Sequence, residues 1–365
     1  MKLPQIQRRV TKAIKVGNVQ IGHGAPVVIQ SMTNTQTADI DSTVAQVNAL
    51  ANAGAQIVRV ATPTPADTQA LSEIVRQSPV PIVADVHFHF QRAIDAINAG
   101  VAKIRLNPGN ITDRDKVRDI INLAQEKGTA IRIGVNEGSV SDRRDKAQFA
   151  LDMQKPLVDL MLEKMSEYLT VFDQLGFENL ALSAKSHDAF TTIAVSRALS
   201  DRWDYPLHLG VTHAGTAQTG AIRSAAALGT LLAEGIGDTI RISYAGDPVA
   251  EVLAAKELLS SLRLRPRDQV ELIACPTCGR LQMDLTPIVD QVEAELAKIR
   301  CDKPVKVALM GCVVNGPGEA DNADIAICAG AGKAVLFVKG KRVKNVLPNE
   351  ILQTVLDEVH KIISE

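Results

Sequence analysis

Aromatic residues are scarce in this 365-residue chain, 3% in all with a single tryptophan. That scarcity removes the stacking platforms on which single-stranded nucleic acid is bound. An excess of either charge is missing too: 40 basic against 41 acidic residues leave a formal charge of −1. Near-neutrality argues against nucleic-acid or membrane-surface binding. No apolar run is long enough to span a bilayer, and Met1–Arg9 holds nothing resembling the apolar core of a signal peptide. The expected setting is therefore cytoplasmic. Five cysteines are a poor disulfide framework for so long a chain and a plausible metal set.

What is present is a rhythm. Short β-branched runs recur at Val27–Met32, Ile57–Val60, Ile82–Val86, Lys103–Leu106, Ala130–Val135, Leu180–Ala184, Leu207–Val211 and Thr239–Ser243. Ala-rich amphipathic stretches separate most of them, among them Asp41–Ala53, Ala66–Gln77, Phe90–Ala99, Asp113–Lys127 and Thr219–Glu234. Such alternation predicts right-handed βαβ units and a parallel sheet. Gly54, Gly100, Gly128, Gly176 and Gly235 fall where a helix C-cap takes a residue tolerant of positive φ. Eight units predict a (β/α)8 barrel of the TIM type over residues 1–264. A doubly wound open sheet is the alternative, but its first turn lacks the GxGxxG fingerprint. Residues 141–175 are expected to hold an extended or doubled helix, and Asp247–Leu262 the eighth helix.

A charged linker at Arg265–Gln269 then opens a second, smaller α+β domain, 265–365. Its expected strands are Val270–Ile273, Val305–Met310, Ala323–Ala329, Ala334–Val338 and Lys344–Val346, with helices at Leu285–Ile299 and Glu350–Ile363.

Barrel enzymes carry their chemistry at the C-terminal strand ends. Those positions read Ser31/Thr33/Asn34, Arg59, Asp85/His87, Arg105/Asn107, Arg132/Asn136, Lys185/Ser186, Thr212/His213 and Arg241/Ser243. Arginine or lysine ends five strands, and Asp85 is nearly the only acid. Converging cations repel unless an anion meets them, so the expected ligand is highly charged, with two phosphates. Solvated or ion-paired arginines are the plainer alternative for any one position. His87 and His89 flank Phe88 without forming a persuasive metal pair, and His208 reads as a hydrogen-bonded interior residue.

The second domain carries Cys275-Pro-Thr-Cys278 and Gly311-Cys312-Val-Val-Asn315-Gly-Pro-Gly318-Glu319. Three thiols in Gly/Pro-rich turns are a soft-metal set short of one thiolate, open to zinc or to an iron–sulfur cluster. No histidine lies near either loop to close a zinc site, and Cys301 and Cys328 read as structural. Glu319, at the far end of the second turn, is the best candidate for a weak, exchangeable fourth ligand; a solvated loop acid is the alternative.

These segments, with Gln30-Ser-Met-Thr-Asn-Thr35, Lys103-Ile-Arg-Leu-Asn-Pro-Gly-Asn110 and His208-Leu-Gly-Val-Thr212, resemble the IspG (GcpE) family, the bacterial 4-hydroxy-3-methylbut-2-enyl diphosphate synthases of the non-mevalonate isoprenoid pathway. The resemblance runs essentially end to end. It implies a barrel followed by a cluster domain similar to those of sulfite and nitrite reductases. It also implies a 4Fe–4S cluster on Cys275, Cys278, Cys312 and Glu319, and 2-C-methyl-D-erythritol 2,4-cyclodiphosphate as substrate. The family's rim residues correspond to Arg59, Arg105, Asn107, Arg132, Asn136, Lys185, Arg241 and Ser243.

The implied reaction is a two-electron reductive ring opening with loss of water. Lys185 and the arginines stabilise diphosphate charge, and Glu319, His213 or water delivers protons. The chain has no flavin or nicotinamide fingerprint, so reduced flavodoxin or ferredoxin is the implied donor, and a head-to-tail homodimer the implied assembly. One position departs from the pattern. Thr212-His213-Ala-Gly215 stands where the family usually reads Thr-Glu-Ala-Gly, leaving His213 open as proton donor, phosphate ligand or mark of a weakened enzyme. The rival from another class is a barrel lyase or transferase with a structural zinc site and Lys185 as a Schiff-base lysine.

Overall fold

The computed structural model describes residues 5–86, 89–106, 113–140, 150–301, 303–312, 314 and 316–364. The chain divides into two compact units, the first ending at Arg265 and the second beginning at Pro266. Among the described residues, no helix is long and apolar enough to cross a membrane.

A two-stranded hairpin, β1 (Ile14–Val16) and β2 (Val19–Ile21), precedes the barrel. Eight parallel strands follow: β3 (Val28–Met32), β4 (Ile57–Ala61), β5 (Ile82–Asp85), β6 (Lys103–Leu106), β7 (Ala130–Asn136), β8 (Leu180–Lys185), β9 (His208–Leu209) and β10 (Thr239–Ile240). Their order is β8-β7-β6-β5-β4-β3-β10-β9, and a parallel bridge between Leu182 and Leu207 closes the ring. The helices between them are α1 (Ile40–Ala53), α2 (Pro65–Gln77), α3 (Phe90–Asn98), α4 (Arg114–Lys127), α5 (Leu157–Gln174), α6 (Ala189–Arg202), α7 (Ala217–Ala233) and α8 (Pro248–Ser261). Residues 150–152 are helical and a turn over 153–156 parts them from α5.

Local chemistry explains these boundaries. Asp39, Thr64, Asp113, Asp188, Thr216 and Asp247 each cap a helix N-terminus through a side-chain oxygen. Gly54 and Gly128 end α1 and α4 with φ of 116° and 69°, a region closed to most side chains. Strands β9 and β10 are shorter than their β-branched runs suggest. Beyond Leu209 the ladder continues only as Arg241 N–H donating to Leu209 O, and Thr212 then turns to donate to Ser186 O.

The period of two sorts each strand. Outward residues such as Val58, Val60, Ile104, Ile131, Ile133 and Leu182 join the helices in one apolar core. Inward, Val28, Ile57, Val83, Ala130 and Ala181 form a small apolar floor sealed by Ile14, Val16 and Ile21 of the hairpin. Burying one such side chain contributes about 1.5–3 kcal/mol. The alternation Ile14-Lys-Val16-Gly-Asn-Val19-Gln-Ile21 with its Gly-Asn turn is a hairpin signal that stands outside the βα rhythm. Above that floor the inward positions turn polar.

The second unit has a five-stranded sheet in the order β11 (Glu271–Ala274), β12 (Lys306–Met310), β13 (Ile325–Gly330), β14 (Lys333–Val338), β15 (Lys341–Val346). The first three strands are parallel and the last two antiparallel. Helices α9 (Thr286–Leu296) and α11 (Ile351–Ser364) contribute Val292, Leu296, Val355 and Val359 to the core on one face. On the other face Ala320, from the short helix α10 (Gly316–Ala320), packs with Met310, Ala326 and Cys328.

Candidate active site

Each barrel strand sends residues two apart into the interior, and nearly all of them above the floor are polar. Lys103 and Arg105 come from β6, Arg132, Gly134 and Asn136 from β7, Ser183 and Lys185 from β8. Met32 and Arg59 stand on β3 and β4, and Arg241 just beyond β10. All six cations are largely buried; Arg132 is 2% exposed and Lys103 wholly buried. This is the cationic mouth expected from the strand ends, with one more lysine below it.

Carboxylates answer only some of the charge. Asp85 takes Arg105 Nη1 at 3.3 Å and lies 3.8 Å from Arg59 Nε. Glu251, in the first turn of α8, accepts from Arg241 Nη2 at 3.4 Å and from the Tyr244 amide at 3.0 Å. Asp85 is thus not alone: Glu251 is a second acid, hidden from a strand-end reading because a helix delivers it. Met32 Sδ accepts from Arg59 Nε at 3.1 Å and Nη2 at 2.9 Å, and lies 3.6 Å from Arg241 Nη1. A thioether in that place holds two guanidiniums without neutralising either.

Among the described residues, Arg132 and Lys185 have no carboxylate partner, and Arg132 Nε and Nη2 are buried with no hydrogen-bond acceptor. Burial, then the charges of Arg59 and Arg105, drive the Arg132 pKa well down. Lys185 is displaced the same way, first by burial and then by Arg132, Arg59 and Arg241. Lys185 Nζ lies 3.2 Å from His208 Nε2, and His208 Nδ1 lies 2.7 Å from Thr239 Oγ1. Burial and the adjoining Lys185 hold His208 well below the usual histidine range. His208 is therefore an interior hydrogen-bonded residue, as its mid-strand place suggests. Below it Lys103 donates to Gln30 Oε1 at 3.0 Å.

Among the described residues, counting the five rim cations, Arg59, Arg105, Arg132, Lys185 and Arg241, against Asp85 and Glu251 leaves a formal excess of three positive charges. Neutral groups surround them. Asn136, with its amide oxygen toward β6, accepts from Arg105 Nη2 at 3.2 Å, and Ser243 Oγ donates to Val211 O at 3.1 Å. Ser186 Oγ donates to Glu137 Oε2 at 2.6 Å, and His187 Nδ1 lies 3.0 Å from the same oxygen. Asn34 is tied to α1 through Gln46. His213 is exposed and holds φ of 52°, unusual for a residue with a Cβ. Asn107 and His87 lie outside the described residues.

Two interior glycines make room for this crowd. A Cβ on Gly134 would come within 3.0 Å of Arg105 Nε, and one on Gly210 within 2.7 Å of Lys185 Nζ and 2.8 Å of Arg241 O. Glycine at an inward strand position was the available sequence signal for a long neighbouring side chain. Gly210→Ala is expected to displace Lys185, destabilise the barrel by about 1–3 kcal/mol and lower turnover roughly tenfold or more. Urea denaturation and steady-state kinetics check both, and wild-type kinetics in this variant would mean that Lys185 does not act from there.

In the second unit both cysteine loops leave the same ends of parallel strands, Cys275 after β11 and Cys312 after β12. Cys275 N–H donates to Leu309 O and Gln282 N–H to Gly311 O, each at 2.9 Å, which lays one loop on the other. A Cβ on Gly311 would strike Leu281 at 2.6 Å and lie 3.7 Å from Cys275 Sγ. Gly316 is equally confined, by Cys328 Sγ at 2.8 Å. Cys275 is half-buried, Cys278 exposed, Cys312 buried and Glu319 half-buried on α10. Burial pushes the Cys328 thiol up to about 11, with Cys312 adding to the shift, consistent with a structural thiol. Among the described residues, no three His, Cys, Asp or Glu side chains gather at metal-binding separation. What the fold provides is a donor set of soft thiols on two interlocked, glycine-confined loops, with a carboxylate on the helix that follows.

The model of the GcpE TIM-barrel domain matches residues 11–256, and that of the GcpE protein C-terminal domain matches 271–361. The chain belongs to the GcpE family. A relative from Malacoplasma penetrans (strain HF-2), named 4-hydroxy-3-methylbut-2-en-1-yl diphosphate synthase (flavodoxin), is 46% identical over 98% of this chain and 95% of its own length. One of the same name from Sulfurihydrogenibium sp. (strain YO3AOP1) is 43% identical over 99% of this chain and its whole length. Among solved structures, 7,8-dihydropteroate synthase from Vibrio fischeri ES114 is similar over 70% of this chain and 99% of its own, with a TM-score of 0.48 and 12% identity. GcpE membership over both units accounts for the barrel and the cysteine loops occurring in one chain.

Proposed function

We propose that this chain is a 4-hydroxy-3-methylbut-2-en-1-yl diphosphate synthase that opens 2-C-methyl-D-erythritol 2,4-cyclodiphosphate reductively. The observation that carries the reading is the uncompensated positive charge at the barrel mouth. A site holding Arg132 and Lys185 buried, with no carboxylate partner among the described residues, is stabilised when an anion joins it, and a cyclic diphosphate brings the charge required. In the balance of the reaction two electrons and one proton enter, one water leaves, and the opened C–O–P bridge leaves its negative charge on phosphate.

Arg132 and Lys185 bind the diphosphate directly and stabilise the charge that develops there. Asp85 and Glu251 hold Arg59, Arg105 and Arg241 in place, so little reorganisation remains for the substrate to impose. Asn136, Ser243 and Asn107 orient the ring by neutral hydrogen bonds. His213, exposed on its left-handed turn, and Glu319 are the groups from which a proton reaches the leaving oxygen, with water as the remaining source.

Cys275, Cys278, Cys312 and Glu319 would hold a 4Fe–4S cluster, and their thiol-rich, glycine-confined loops suit one. When bound, such a cluster supplies the electrons one at a time. Flavodoxin is the donor named for the relatives, with ferredoxin as the alternative; a head-to-tail homodimer and a cytoplasmic setting complete the reading. The barrel-lyase alternative finds no support among the relatives.

The deciding experiment is anaerobic purification with iron, sulfide and zinc analysis, followed by turnover of the cyclic diphosphate with reduced flavodoxin. About four irons and four sulfides per chain with product formation is the expected result. One zinc, no sulfide and no turnover would return the chemistry to the barrel alone.

A further inference from the structure

The chain is balanced in charge overall, but not everywhere. Between Asp324 and Glu350 it carries Lys333, Lys339, Lys341, Arg342 and Lys344 and not one carboxylate, against a formal charge of −1 for the whole. The fold concentrates these cations on β14 and β15, and β15 is the outermost strand of its sheet. Residues 341–345 are exposed on both faces of the strand. Among the described residues, Lys333, Lys341, Arg342 and Lys344 make no ion pair, and Arg342 bonds only the neutral Asn345 oxygen at 3.2 Å.

The position of this hairpin matters more than its charge. Its turn packs against the segment that follows α10: Lys339 N–H donates to Asp324 O at 2.8 Å, and a Cβ on Gly340 would lie 3.1 Å from Asp321 Oδ1. Glu319 is two residues before that aspartate. Arg342 pairs with Phe337, and Phe337 shares the face that carries Met310, Cys328 and Ala320. Strand β15 lies two strand spacings from β13, about 10 Å. The unpaired cations thus border the face on which the Cys312–Glu319 loop is built, with exposed Val343 among them.

We propose that the β14–β15 hairpin is the docking surface for an acidic electron-carrier protein, which delivers its electrons to the second unit across the α10 face. The inference rests on the reductase reading above and adds where its redox partner binds. Unpaired exposed cations steer an acidic protein and set its register, and a small apolar centre suits a complex that must dissociate at every turnover. Lysines on an open edge also discourage strand addition, a role that requires no partner and predicts no effect on electron delivery.

The test uses full-length, cluster-loaded enzyme with Lys341→Gln, Arg342→Gln and Lys344→Gln combined. Turnover is driven either by reduced flavodoxin at varied concentration or by reduced methyl viologen, which needs no docking surface. The KM for flavodoxin should rise about tenfold at low ionic strength and converge on wild type at high salt, with viologen-driven turnover unchanged. An unchanged KM for flavodoxin overturns the proposal. If the variant also loses viologen-driven turnover, carbodiimide cross-linking of flavodoxin to the wild-type enzyme decides. Cross-links at Lys333, Lys339, Lys341 or Lys344 support the surface, and cross-links confined to lysines outside the hairpin refute it. Absence of product from wild-type enzyme with viologen would instead sink the reductase reading, while cross-linking still reports on docking.

Discussion

Arg132→Met should leave an enzyme that is more stable and almost inactive. Arg132 is 2% exposed, has two nitrogens without an acceptor among the described residues and faces Arg59, Arg105 and Arg241. In the ligand-free barrel its charge is a liability, and an apolar side chain of similar length should raise stability by about 1–4 kcal/mol, several degrees in midpoint. In the proposed reading the same charge stabilises the bound diphosphate, and its removal should lower kcat/KM about a thousandfold. Thermal unfolding without ligand, set beside steady-state kinetics, checks both signs. A variant that is both inactive and less stable would make Arg132 a structural residue, and one with normal kinetics would place the anion elsewhere.

Cys312→Ala should abolish turnover and the visible absorption of the anaerobic protein while leaving the barrel's affinity for pyrophosphate within about twofold of wild type, since surface and core changes outside a site's own contacts are usually additive. The thiol belongs to the second compact unit and the barrel cations to the first. Iron and sulfide content, a visible spectrum and calorimetric titration with pyrophosphate read the two units separately. Full iron content in this variant would remove Cys312 from the ligand set. Loss of pyrophosphate binding would show that the barrel mouth depends on the second unit.

The two variants probe opposite halves of one design. In the proposed reading a cationic well binds the substrate, and the cysteine loops would hold the source of electrons. Each tolerates groups that destabilise the free protein: buried unpaired cations in the first, glycines pressed against sulfur in the second.

Much of this was legible in the chain because it is written locally. Strands, helices and caps follow from periodicity and from single residues such as Asp113 and Gly128, whose effects reach only a few positions. Arg59, Arg105, Arg132, Lys185 and Arg241 were found because a parallel barrel presents every strand end at one mouth. Cys275, Cys278 and Cys312 stand out by spacing and glycine-rich turns, and the structure adds that their two loops interlock.

Which cations are paired is a different kind of fact. Arg241 meets Glu251 because α8 folds back over β3, and Arg59 meets Met32 across neighbouring strands 27 positions apart. Gly134 and Gly210 are required by side chains on other strands, and the β1–β2 hairpin matters because it seals a floor contributed by five separate strands. By itself the sequence determined the βα order, the ring of strand-end cations and the soft-ligand loops, since these depend on residue type and short-range period. Only the tertiary structure decided which charges are neutralised and which stay open to an anion, because that depends on distances between residues far apart in the chain.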